Sequence, residues 1–181
     1  MSPIAFNLDL LLVGIAVIAI GILGILVYLN NRKSLTNQAF LFFTVMTIAY
    51  GIINYLATQI KDPFNTLWLL RFTIFFAVWH AYSFFLLFFV FPEVKITFSF
   101  IYRYLFIPLV GIVSLLTLTP FVFSGIEDLS PVGQTATAQV AIGISVFIAL
   151  AIYLIFGGVY FLINKIRKAA DEEKKQLLFM L

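Results

Sequence analysis

The stretch "LDLLLVGIAVIAIGILGILVYL", Leu8 to Leu29, decides the architecture. Beyond Asp9 it contains no charged residue. It exceeds the ~18 apolar residues that mark a membrane-crossing helix. Four more apolar runs follow, at about 39–59, 67–91, 100–123 and 139–164. The chain of 181 residues is 63% hydrophobic and 10% charged. Its mean hydropathy is +1.11. A soluble domain carries roughly a quarter of its residues as charges. A membrane barrel would alternate polar and apolar residues, and these runs do not. The sequence therefore predicts an all-α membrane protein. Residues 1–181 form one membrane domain, a polytopic bundle of five transmembrane helices.

Composition also excludes chemistry. There is no cysteine, so disulfides, thiolate metal sites and thiol nucleophiles are ruled out. The pI near 9.2 is no sign of nucleic acid, because the basic residues sit at helix ends. No cleavable signal peptide is expected: "MSPIAFNLD" lacks a positive n-region, and the first run is long enough to span.

The linkers "NNRKSLTNQ", "IKDPFNT" and "PEVKITFS" are short, which makes successive helices antiparallel neighbours. The longer "SGIEDLSPVGQTATA" reads as an exposed turn. Nine basic residues share one side: Arg32, Lys33, Lys95, Arg103, Lys165, Arg167, Lys168, Lys174 and Lys175. Only Lys61 and Arg71 lie toward the other. The positive side is cytoplasmic, so the N-terminus is outside and the C-terminus inside. Segment 165–181 continues the fifth helix as a charged turn, with Lys168–Glu172 and Asp171–Lys175 spaced for pairing. It then turns apolar, "QLLFML", as the start of a sixth span would; a short amphipathic tail is the other reading.

Helices in lipid associate through small and polar residues. The first span offers Gly14, Gly21, Gly24 and Tyr28; the second, Thr44, Thr47, Gly51, Asn54 and Thr58 beside Tyr50. The third offers Thr66, Thr73 and His80; the fifth, Ala141, Ser145, Ala149, Tyr153 and Gly157. These stripes predict helix packing. Pro108 and Gly111 should kink the fourth span.

Three residues invite a further reading. Arg71, about one turn inside the outer interface, either snorkels to the headgroups or forms a polar layer with Asn54 in which the two satisfy each other or an anionic ligand. His80, near the midplane, shares a face with Thr73 and lies nearly opposite Arg71, so the two are not one site. It is either a neutral histidine bonded to a hydroxyl or a proton-responsive switch. The candidate ligand or sensing residues are thus Arg71, Asn54, Tyr50 and His80. No acidic pair lies within a span and no metal-binding pattern occurs, so no catalytic residue, metal or cofactor is assigned.

The order of features resembles the N-terminal seven-helix sensor region of bacterial sensor histidine kinases. The basic loop "NNRKSLTNQAF" precedes "MTIAYGIINYLA"; then come "LWLLRF", "FFLLFFVFPE" and "NKIRKAADEEKKQLLFML". The likeness covers the first five helices, nearly the whole chain. It implies a multi-pass receptor module of a two-component system in the bacterial inner membrane. Such a module would be non-enzymatic and would pass a signal to a cytoplasmic kinase or other output domain. The partners implied are the lipid bilayer, a homodimer mate and an unidentified small ligand. The family's early third-helix arginine falls on Arg71. The rival readings are a small transporter or channel, and a structural membrane subunit.

Overall fold

The computed structural model describes residues 8–92, 98–169 and Leu177. Helices α1 (Leu8–Asn30), α2 (Leu35–Gln59) and α3 (Pro63–Val90) run in succession. A π-helical segment, Tyr102–Phe106, leads into α4 (Ile107–Leu116). Strands β1 (Phe123–Asp128) and β2 (Thr137–Val140) form an antiparallel hairpin before α5 (Gly143–Lys168). Among the described residues four helices, α1, α2, α3 and α5, are long and apolar enough to cross a membrane.

Local chemistry sets the helix ends. Ser34 caps α2, its Oγ accepting from the Asn37 amide at 3.4 Å. Asp62 caps α3, accepting from the Asn65 amide at 2.9 Å, and Pro63 fills the first turn, where no amide donor is needed. Asn37 Nδ2 reaches back to donate to the Val27 carbonyl at 2.7 Å, tying α1 to α2 across their tight connection.

Helix α3 is the hub. It packs against α2, α4, α5 and β1. Within its most apolar window 44% of residues are buried, against 6% for α1, which leans mainly on α2. That contact uses the expected small stripe: Gly24 is buried against Thr44, and Gly21 faces Ile48. A Cβ at Gly24 would lie 2.5 Å from Thr44 Cγ2 and 2.8 Å from Thr44 Cβ, so only glycine allows this approach. The core has three tiers. One, beneath the hairpin, joins Ala57, Leu70, Val122, Phe123 and Ala136. The middle tier joins Val78, Tyr82, Phe85, Tyr102, Val110 and Leu154. The third, at the far end, joins Ala39, Leu87, Phe88, Leu162, Ile166 and Leu177.

Three expectations need correcting. The helix of the fourth run does not reach residue 123; it stops at Leu116. Hydroxyls of Thr117 and Thr119 donate to the carbonyls of Ser114 and Leu116, and Pro120 follows without an amide donor. Local side-chain bonds and proline together end the helix. The following segment is not a bare turn. It folds as the hairpin, with Val122, Phe123 and Ala136 buried. On α5, the small stripe does not face the bundle: Ser145, Ala149 and Tyr153 are exposed. The buried stripe lies one residue on, at Leu150, Leu154, Gly158, Leu162 and Ile166. Bulky leucines fit between the aromatic rings of α3, so shape rather than small size selected this seam.

The proline irregularity appears as a π turn. The Ile107 amide donates to the Tyr102 carbonyl, five residues back, just before Pro108. The wider turn relieves the clash a proline ring makes with the preceding turn. The expected pairs Lys168–Glu172 and Asp171–Lys175, the region before Leu8, and all of "QLLFML" but Leu177 lie outside the described residues.

Candidate functional site

Arg71 is buried, 6% exposed, and does not snorkel. Its Nη2 and Nε donate to the Phe123 carbonyl at 2.7 and 3.3 Å. Its guanidinium lies over the Trp68 ring, 5.3 Å from the centroid. The flat cation thus clamps β1 to α3. The sequence could not reveal this partner, because the acceptor is a main-chain oxygen at Phe123, the last residue of the expected fourth span, where a strand begins instead. Arg71 and Asn54 do not form a shared layer: Asn54 lines a cavity to which Arg71 does not contribute.

That cavity has a volume of about 630 Å³ and lies among α1, α2 and α3, with Gly133 of the hairpin turn at its edge. Asp9, Val17 and Ile20 line it from α1, and Tyr50, Asn54 and Thr58 from α2. His80 is its contribution from α3. Three of the four residues singled out in the sequence therefore meet here. The hairpin fixes the rim. The Gly133 amide donates to the Thr58 carbonyl at 3.0 Å, and Lys61 Nζ donates to the Gln134 carbonyl at 2.7 Å. Gly133 has φ +88°, a conformation that favours glycine.

His80 bonds to a hydroxyl, as expected, but not to Thr73. Thr73 donates to the Leu69 carbonyl of its own helix. The partner is Thr47, with Oγ1 3.4 Å from His80 Nε2. Thr47 already donates its single hydroxyl proton to the Phe43 carbonyl at 2.8 Å. With that proton engaged, the Thr47 oxygen is placed to accept from an Nε2–H.

Tyr50 and His80 also line a second cavity of about 420 Å³, completed by Ala77, Ala81 and Phe84 of α3 and Phe147, Ala151 and Ile155 of α5. Their ring centroids are 5.7 Å apart. The two side chains stand between a partly polar cavity on α1 and an apolar one on α5. At the far end of α3, Lys165 Nζ of α5 donates to the carbonyls of Phe89 and Phe91 at 2.7 and 2.6 Å. A cation there complements the negative end of the α3 dipole. Sequence reasoning had used Lys165 only for topology. It had also passed over Asp9, the sole carboxylate inside any of the expected spans. That solitary position was the available signal.

The model of the N-terminal 7TM region of histidine kinase matches residues 12–181. The chain belongs to this family. No curated protein and no solved structure matches it. The match, with the apolar helices, makes the chain a multi-pass membrane sensor region of the histidine kinase type. Among the described residues no cluster of metal-ligating side chains occurs.

Proposed function

We propose that this 7TM region detects a small ligand in the cavity between α1 and α2 and passes the change to a cytoplasmic output domain through α5. The observation that carries the reading is the Tyr50–His80 pair, which lines the α1–α2 cavity on one side and the α5 cavity on the other. A ligand that moves this pair changes the packing of Phe147, Ala151 and Ile155. It thereby biases where α5 leaves the bundle near Lys165. Such a shift is limited by the ligand's differential affinity for the two arrangements.

The same reading holds residues 1–181 as one membrane domain of five spans, the fourth being the short helix that ends at Leu116. It places the N-terminus outside and α5's end in the cytoplasm of a bacterial inner membrane. The signal is read by a kinase or comparable output domain, in a homodimer as two-component sensors commonly are. The module itself performs no chemistry.

The test uses the protein encoded by the intact reading frame, with a transcriptional or phosphorylation readout. Tyr50→Ala removes the partition and should shift basal output by about 5- to 150-fold, the usual span of coupling energies. Arg103→Ala, remote from both cavities, should leave it unchanged. If Tyr50→Ala and His80→Ala both accumulate normally and signal as wild type, this route is wrong.

A further inference from the structure

We infer that the α1–α2 cavity takes a small amphipathic cation, an organic amine with an apolar body. This deepens the sensor reading and rests on it for the ligand's purpose.

The lining is asymmetric in charge. Among the described residues Asp9 is its only carboxylate, and no lysine or arginine lines it; Lys61, at the rim, is committed to the Gln134 carbonyl. Arg71, the cation that an anionic ligand would need, is committed to the Phe123 carbonyl outside the cavity. Asn54, Thr58 and Gln59 stand with Asp9 toward the hairpin end, whereas Val13, Val17, Ile20 and Ile48 supply the walls below. The polar end of an occupant is thus defined, and so is the sign of its charge.

The volume of about 630 Å³ falls within the range of small-molecule sites, ~300–1,000 Å³. Asp9 and Ile20 are separated by about 16 Å along α1 at the usual helical rise. A compact amine on a hydrocarbon body fits within that length, with its ammonium toward Asp9 and Asn54 and its body toward Ile20 and Ile48. Asn54 adds an independent indication. It lies about 8 Å inside the end of α2, by helical rise. Its side-chain amide is exposed toward the cavity and makes no hydrogen bond within the described structure. An amide at that depth in an apolar helix is costly unless something answers it.

Gly51 supplies a clean test. It lines the cavity, and a Cβ built there meets no atom within 4 Å, so a larger side chain projects into open space. The full chain is reconstituted in phosphatidylcholine nanodiscs, and binding of radiolabelled phenylbutylammonium is measured against empty discs. Saturable binding is expected. Gly51→Leu should abolish it while keeping the unfolding midpoint at or above that of wild type, and Ala16→Leu repeats the plug from α1. Asp9→Asn should weaken binding by about tenfold, the loss of a charge-assisted contact. Phenylbutyrate should not compete.

Uptake no greater than in empty discs overturns the proposal, as does binding that survives both plugs. So does equal competition by phenylbutyrate, which would mark an apolar slot filled by any lipid-like chain. Binding is read here without signalling. Failure to bind the amine therefore leaves the sensor reading standing, whereas amine binding with silent Tyr50 and His80 variants sinks the sensor route alone.

Discussion

One guanidinium ties the first strand of the hairpin to α3. Arg71 is buried without a carboxylate partner among the described residues, so its charge is answered by the Phe123 oxygen and the Trp68 ring. A planar fork can bond and stack at once, which a lysine ammonium cannot. Arg71→Met should destabilise the protein by about 2 kcal/mol, the cost of losing a charged hydrogen bond and leaving its acceptor buried. Arg71→Lys should recover less than half of that. Thermal unfolding in nanodiscs measures both. Limited proteolysis adds a local readout, with faster cleavage between residues 123 and 140 expected for Arg71→Met. Wild-type behaviour of Arg71→Lys in both assays would mean that any cation suffices. The importance of Arg71 was legible in the sequence, because a charge inside an apolar run demands an explanation. Its partner was not, since every residue carries a carbonyl.

Among the elements, the contact of α1 with α2 is the most vulnerable. Much of it depends on Gly24 against Thr44. Gly24→Ala gives one of two outcomes: the helices separate or Thr44 is displaced. Overpacking of this kind costs about 1–3 kcal/mol. Thr44→Ala placed in the same chain should restore much of the loss, and a double-mutant cycle on unfolding free energies would show the coupling. Additive effects would mean that the two residues do not meet. This seam was readable because small residues recur at helical spacing on both partners. The seam of α5 was misread by one residue, since Leu154 and Leu162 dock between phenylalanines of α3 and no small-residue rule anticipates that. The hairpin was hidden for a different reason: "FVF", residues 121–123, prolongs the apolar run past the helix, and the polar segment after it reads as a turn, although Pro120 was a cue that the helix had ended.

Across the whole molecule, five apolar runs and the skew of nine basic residues to one side were enough to give a membrane bundle and a proposed orientation. The cysteine-free sequence makes that orientation easy to check. Glu127→Cys, exposed on β1, should react with an impermeant maleimide in intact cells. Arg32→Cys, exposed between α1 and α2, should react only after lysis. The reverse pattern would invert the molecule and place the hairpin in the cytoplasm. The candidate site was partly legible at this scale. Tyr50, Asn54 and His80 were each identifiable, but their meeting in one cavity depended on how far α1 stands from α2, which periodicity does not encode. Asp9 joins them only through that packing.

The two cations that tie α3 to its neighbours, its own Arg71 toward β1 and Lys165 of α5 at its far end, both hold main-chain oxygen. Any amino acid at positions 89, 91 and 123 offers the same acceptor. The requirement therefore runs one way: the cationic positions are restrictive, while the accepting positions answer only to size and apolarity. Residues around both ends of α3 can be exchanged without loosening that grip.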